Sequence, residues 1–251
     1  SMSCIDYTDC DLVFVVRKDD VEEFAIDAFL KEKFPGAEVV VISDITRGAV
    51  ETCLAAKKFI KPDAPVIIHC SDVWFSPKFS VAEFNCENDG CILTFKSNSA
   101  NYSYSKLDEN GYITEVAEKK VISNNASVGI YWFKSGKDFL SAAKKMVNSY
   151  SGSELHICPL YSLFIQDKKK VSTLEVDKIY IAGTEQELEF VATNVLPTLA
   201  ENKKTVALAC DHSGFAAKQK FKELLDKKQI KYIDCGTYST NNCDYSSFIK
   251  S

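Results

Sequence analysis

Short apolar runs alternate with amphipathic segments along most of the chain, and this alternation constrains the fold more than any other feature. "DLVFVVR" (11–17) has the length and apolar density of a buried strand. "DDVEEFAIDAFLKEKF" (19–34) follows with helical spacing, and Asp19 or Asp20 suits its N-cap. "AEVVVIS" (37–43) predicts a strand. "AVETCLAAKKFI" (49–60) predicts a helix with a stripe at Val50, Cys53, Leu54 and Ala56. "APVIIHCSD" (64–72) predicts a strand that ends on an acid. Strands are predicted over 90–96, over 126–134, and as a pair within 102–119 that turns at Glu109-Asn110-Gly111. Helices are predicted over 136–150 and 159–170, a strand over 171–176, and a helix over 184–195 capped by Thr184. Beyond Pro197 and the polar "AENKK" lies one more unit: strand 205–210, helix 214–228, strand 230–234. The pattern predicts an α/β fold with a mixed, largely parallel sheet covered on both faces, and a C-terminal βαβ unit. The expected organisation is a domain over 1–196, a linker over 197–204 and a partial unit over 205–251.

Composition narrows the function. Of 251 residues, 46% are hydrophobic and 26% charged, as in ordinary globular proteins. A net charge of −5 argues against a nucleic-acid groove, and Lys168-Lys169-Lys170 reads as a solvated turn. The nearest pairs among ten cysteines, Cys4/Cys10 and Cys86/Cys91, lack C-x-x-C spacing. Together with Cys70, Cys210 and Cys235 they read as small residues of a reducing compartment. No secretory segment or long apolar run is visible, so a cytoplasmic protein without membrane contact is expected, free to form a homo-oligomer. Ser1 before Met2 reads as a cloning remnant. Three scattered histidines do not make a zinc site, and His69 and His156 read as satisfied strand or loop residues.

The first chemically informative residue is Asp72. Ligands of open α/β sheets bind beyond the carboxyl ends of strands, where this acid falls. A carboxylate there suits a Mg²⁺ shared with nucleotide phosphates, or equally a turn or helix cap. Read with "TRGAVETCLAAKKFI", "GCILTFK", "YSKLDENGYITEVAEKK", "ASVGIYWFKSGKDF" and "IYIAGTEQELEF", this strand resembles the sugar-phosphate nucleotidyltransferases over residues 11–192. The similarity is closest to the capsule and surface-polysaccharide subgroup. It implies a GT-A-like, Rossmann-related domain catalysing NTP + sugar phosphate → NDP-sugar + pyrophosphate with Mg²⁺. It also implies roles by position. Thr46, Gly48 and Ala49 match the loop at the nucleobase. Asp72 matches the metal-binding, catalytic acid. Lys119, the other catalytic match, and Glu118 form the pair near the acceptor phosphate. Gly129 lines the sugar pocket, and Glu154 contacts acceptor hydroxyls. Read without the resemblance, Glu118-Lys119 is equally a surface ion pair, and Gly129 a bulge.

Two departures accompany this likeness. "DLVFVVR" matches the family's second strand, and no GxGxR loop that would cradle a triphosphate precedes it. Ala182 stands where many members carry a second metal-binding Asp. Turnover is therefore expected to be impaired. The tail, "VALACDHSGFAAKQKFKELL…IKYIDCGTYSTNNCDYSSF", resembles the start of type B ribose-5-phosphate isomerases and galactose-6-phosphate isomerase subunits. Asp211, His212 and Tyr245 match isomerase site positions, alongside Gly214, Phe215, Asp234, Gly236, Thr237 and Asp244; Ser246 replaces the usual Pro. Two other functions stay open: a non-catalytic module that binds a nucleotide or sugar phosphate, and part of a longer isomerase fusion.

Overall fold

A computed structural model describes residues 2–76, 78–84, 87–149, 152, 154–181, 184–195, 206–208, 215–227 and 232–234. Two compact units divide the chain, Ser1–Gly183 and Thr184–Ser251. The first carries Ile5–Asp6 (β1), Val13–Arg17 (β2), Lys18–Phe24 (α1), Ile26–Lys33 (α2), Glu38–Ile42 (β3), Ala49–Ala55 (α3), Val66–His69 (β4), Val73–Ser76 (β5) and Phe79–Ser80 (β6). It continues through Gly90–Lys96 (β7), Tyr104–Leu107 (β8), Ile113–Ala117 (β9), Asn125–Phe133 (β10), Gly136–Ser149 (α4), Tyr161–Gln166 (α5), Val171–Glu175 (β11) and Lys178–Ile181 (β12).

The main sheet is mixed and runs β11-β7-β10-β8-β9, with β4 also paired to β10. β7 and β11 pair in parallel, whereas β10 runs antiparallel to β4, β7 and β8. β2 and β3 form a separate parallel pair. The alternating residues of β10 explain why this strand is central. Tyr131 and Phe133 face one apolar cluster with Phe139, Ala143 and Met146 of α4 and Tyr161 and Phe164 of α5. Ile130 and Trp132 face the other, with Val73, Phe75, Phe79 and Phe84. A two-residue period with both faces covered yields a nearly continuous apolar string. Tyr161 stacks on Phe133 with centroids 4.7 Å apart, and its hydroxyl donates to the Trp132 carbonyl at 2.8 Å.

One predicted helix is two. Residues 19–34 form α1 and α2, separated by Ala25 in the left-handed region at φ 49°. Ala25 N–H still donates to the Val21 carbonyl, closing α1, and its own carbonyl accepts from Phe29. The helix starts at Lys18 without a side-chain cap, so Asp19 and Asp20 fall inside the first turn. There they favour the helix dipole rather than capping it.

His69 ends β4, where its Nδ1 and the Tyr7 hydroxyl share a hydrogen bond, and its buried Nε2 has no hydrogen-bond partner among the described residues. Burial holds its pKa down at about 4, from an ordinary 6.5. The unfolded chain thus binds the extra proton between these values. The stability this neutral ring contributes is complete above pH 6.5 and lost as pH falls through 4. Urea melts at pH 7, 5.5 and 4 should show a loss on the order of 2 kcal/mol from this group. His69→Gln should flatten the slope in that window; an unchanged slope would assign the acid sensitivity elsewhere.

The second unit holds Glu185–Phe190 (α6), continued by a π-helical turn over Val191–Val195, then Val206–Leu208 (β13), Phe215–Lys227 (α7) and Tyr232–Asp234 (β14). Thr184 caps α6 as predicted: Glu187 N–H donates to Thr184 Oγ1 at 3.2 Å, and the Glu187 carboxylate accepts from Thr184 N–H at 3.0 Å. β13 and β14 pair in parallel around α7, the expected βαβ unit. Buried Lys218 pairs with Asp234, which also takes Lys222 Nζ at 2.9 Å. Among the described residues no helix is long and apolar enough to cross a membrane.

Candidate functional site

Asp72, Glu118, Lys119 and Gly129 line one cavity of ≈ 280 Å³, with Tyr131 and His156 beside them. Each arrives for a local reason. β4 ends at His69, and the turn after it presents Asp72, exposed, on the cavity wall. Cys70 N–H, in the same turn, donates to the Gly129 carbonyl at 3.0 Å. There the pairing of β10 with β7 jumps from Ser127 to Tyr131, a bulge around Gly129 at φ 90°. A Cβ on Gly129 would come within 3.1 Å of the Cys70 Cβ. A glycine fits both the bulge and the close approach. Ser127 Oγ accepts from Gly129 N–H at 3.1 Å and lies 3.0 Å from the Tyr131 hydroxyl, which fixes the bulge from inside.

Glu118 and Lys119 follow the end of β9. Lys119 occupies the left-handed region at φ 51°, with its N–H donating to the Tyr102 carbonyl at 3.1 Å. Ser103 Oγ donates to one oxygen of Glu118, and the other lies 3.8 Å from His156 Nδ1. His156 Nε2 lies 3.1 Å from Glu154 Oε2, which Lys119 Nζ approaches to 3.7 Å. Glu118, His156, Glu154 and Lys119 thus form one chain of contacts, in which Glu118, His156 and Lys119 line the cavity and Glu154 stands behind them, outside its lining. Burial, and then the nearby Asp72 and Glu118 carboxylates, push the Cys70 thiol up to about 11. Burial likewise raises Cys158 and Tyr131. These groups stay neutral at pH 7, so none offers a thiolate or phenolate nucleophile.

Thr46, Gly48 and Ala49 do not line the cavity; they are laced to its rim. Leu155 N–H donates to the Arg47 carbonyl at 2.7 Å, and Val50 N–H donates to the Leu155 carbonyl at 3.0 Å. Thr46 and Thr52 hydroxyls bond at 2.6 Å, and both lie within hydrogen-bond reach of the Gly48 carbonyl. Gly48, at φ 136°, has no room for a side chain: a Cβ would sit 2.7 Å from Leu155 N. This loop therefore grips the residue between Glu154 and His156. Asp211, His212 and Tyr245 lie outside the described residues, as does Ala182.

Among the described residues no group of three or more metal-capable side chains converges. Asp72 is a single carboxylate open to the cavity. This donor set fits Mg²⁺ carried in by a triphosphate, which needs only one or two protein carboxylates, and does not fit an all-protein cage.

His156 is the site residue that sequence reasoning set aside. A signal for it existed: "ELHI" alternates, with Leu155 and Ile157 buried and Glu154 and His156 on the open side. Tyr102, Ser103 and Ser127 also reach the cavity, from segments with no distinguishing pattern.

Residues 206–251 match the family model described as Ribose/Galactose Isomerase. A Rickettsia bellii (strain RML369-C) protein named as a sugar phosphate isomerase is 40% identical over 45 residues, 18% of this chain and 31% of that protein. A similarly named Rickettsia conorii (strain ATCC VR-613 / Malish 7) protein is 38% identical over 45 residues, with the same coverage. The chain thus spans about a third, 31%, of the length of these curated relatives. The solved nucleoside-diphosphate-sugar pyrophosphorylase of Vibrio cholerae RC9 superposes with a TM-score of 0.65 at 22% identity, over 73% of this chain and 80% of that one. A Bacillus anthracis protein named as a glucose-1-phosphate thymidylyltransferase, solved with sucrose, gives 0.56 at 18% identity, over 71% and 73%. The chain resembles nucleotide-sugar pyrophosphorylases in fold, and sugar phosphate isomerases in its last segment.

Proposed function

We propose that the domain over residues 1–196 is of the nucleotidyltransferase type, binding a nucleoside triphosphate and a sugar phosphate for surface-polysaccharide precursors in the cytoplasm. A linker over 197–204 joins it to an isomerase-like unit over 205–251. One observation carries this reading: Asp72, the adjacent Glu118 and Lys119, and Gly129, from three separate segments, share one cavity in a fold of the pyrophosphorylase kind. Lys119 supplies a point charge for the acceptor phosphate, and the carboxylates of Glu118 and Glu154 accept from its hydroxyls. The acceptor's phosphate oxygen forms the new bond to the α-phosphorus, and the bond from that phosphorus to the departing pyrophosphate breaks. No protein nucleophile takes part, in keeping with the neutral Cys70 and Cys158. Asp72 would hold a Mg²⁺ that arrives with the triphosphate, and the ion would supply charge neutralisation there. Catalysis is then a matter of positioning and electrostatics.

The test is calorimetric binding of CTP, UTP, dTTP, ATP and GTP, each with and without Mg²⁺, followed by a pyrophosphate-release assay with sugar 1-phosphates. Mg²⁺-dependent binding of one nucleotide is expected, weakened about tenfold or more by Asp72→Asn. Binding that Asp72→Asn leaves intact removes the metal assignment. Binding without pyrophosphate release favours the second reading, a module that holds these ligands without turning them over.

A further inference from the structure

We propose that His156 and Glu118 together read a single hydroxyl group of the acceptor in this cavity, so that His156 decides which acceptor binds. The inference rests on the nucleotidyltransferase-type reading and deepens it. His156 Nδ1 and Glu118 Oε1 lie 3.8 Å apart, too far for a hydrogen bond to each other. Both side chains line the cavity, and each is three-quarters or more buried, with 25% and 21% of the side chain exposed. A hydroxyl oxygen about 2.8 Å from both atoms closes that gap with ordinary bond lengths. It donates its proton to Glu118 and accepts an N–H from His156.

The remaining contacts fix this geometry. The other Glu118 oxygen is occupied by Ser103, leaving Oε1 for the ligand. His156 Nε2 is held by Glu154 at 3.1 Å. With Nε2 turned to the Glu154 carboxylate, Nδ1 is the ring nitrogen left to face the ligand. The other titratable groups around the ring are Lys119 beyond β9, Asp72 and Cys70 after β4, Tyr131 on β10, and Cys158 two residues further along. Lys119, which approaches the same Glu154 oxygen, is free to turn its charge towards the acceptor phosphate. The hydroxyl reader and the phosphate reader thus share Glu154 as their common anchor.

The experiment measures binding of glucose, galactose and mannose 1-phosphates, and their mono-deoxy analogues, to the full chain and to His156→Asn. The wild type should bind at least one sugar phosphate, and His156→Asn should weaken it about tenfold, with Mg²⁺–nucleotide binding and thermal midpoint unchanged. One deoxy analogue should lose about tenfold on the wild type and clearly less on His156→Asn, where only the Glu118 contact to that hydroxyl remains. Equal binding by both proteins, or additive losses from the deoxy change and the substitution, overturns the role of His156 while the function stands. If the wild type binds nucleotides but no sugar phosphate, the proposal falls; if it binds neither, the functional reading falls with it. If His156→Asn does not fold, ring NMR signals of the wild-type His156 decide: a shift on adding the parent ligand that the one weak deoxy analogue does not produce supports the proposal, and ring signals that no sugar phosphate moves overturn it.

Discussion

A Gly48→Ala chain is expected to be about 4 kcal/mol less stable than the wild type and to lose sugar-phosphate binding at the same time. Two costs add. At φ 136° an L side chain is strained, worth about 1–3 kcal/mol. The added methyl also meets backbone, with 2.7 Å to Leu155 N and 2.8 Å to its carbonyl oxygen. Backbone held by two hydrogen bonds cannot swing aside as a side-chain tip could, so overpacking adds about 1–3 kcal/mol. Relief can come only by moving Leu155, which stands between Glu154 and His156. The stability loss should therefore appear in urea unfolding together with loss of the acceptor site. Gly36→Ala is the control, since Gly36 has φ 87° and no atom of the described residues within 4 Å of its Cβ position. It should cost only the strain, about 1 kcal/mol, and leave binding untouched. Equal losses in the two variants would show that the Leu155 contact carries no weight.

This coupling of Gly48 to Leu155 marks where sequence reasoning stops. A glycine before a helix is visible in the sequence, but the residue packed against it lies more than a hundred positions away. Local signals were legible. "GCILTFK" is β7 with the predicted bounds, and Thr184 forms its reciprocal cap with Glu187. In the turn after β8, the Asp108 carboxylate accepts from Asn110 and Tyr112 N–H groups, each at 2.9 Å, as turn chemistry predicts. The break at Ala25 was not legible, because alanine is a strong helix former and its neighbours keep helical spacing. Short β5 and β12 were also missed. They pair with each other across about a hundred residues, and neither carries more than four residues of pattern. Asp72, Glu118, Lys119 and Gly129 could be singled out by resemblance to known motifs, but their convergence on one cavity depends on the pairing of β4 and β8 with β10 and of β9 with β8, which no local pattern shows. His156 lay in an alternating stretch too short to weigh.

Lys119→Gly should separate the demands of folding from those of the site. A residue with a Cβ in the left-handed region costs about 1–2 kcal/mol relative to its ordinary conformation, and glycine does not meet that cost. Lys119 makes little return on it through its own contacts. Its ammonium lies 3.7 Å from Glu154 with both side chains more than half exposed, at 58% and 53%. Such a pair contributes little to stability. What the backbone twist does is turn the chain just past β9, with Glu118 and Lys119 both on the cavity wall. Lys119→Gly is accordingly expected to fold at least as stably as the wild type, by up to about 1 kcal/mol, while affinity for a sugar 1-phosphate falls about 10- to 100-fold. Lys119→Met keeps the strained conformation and removes only the charge. It should lose the same affinity without the gain in stability, because under the proposed function the phosphate responds to the ammonium, whereas folding responds to the Cβ. Chemical denaturation and calorimetry on the two variants read the two quantities independently. If glycine destabilises the chain, the left-handed turn is held by contacts of the Lys119 side chain. If methionine binds as tightly as lysine, the acceptor phosphate takes its charge from another residue, and the assignment of Lys119 is wrong.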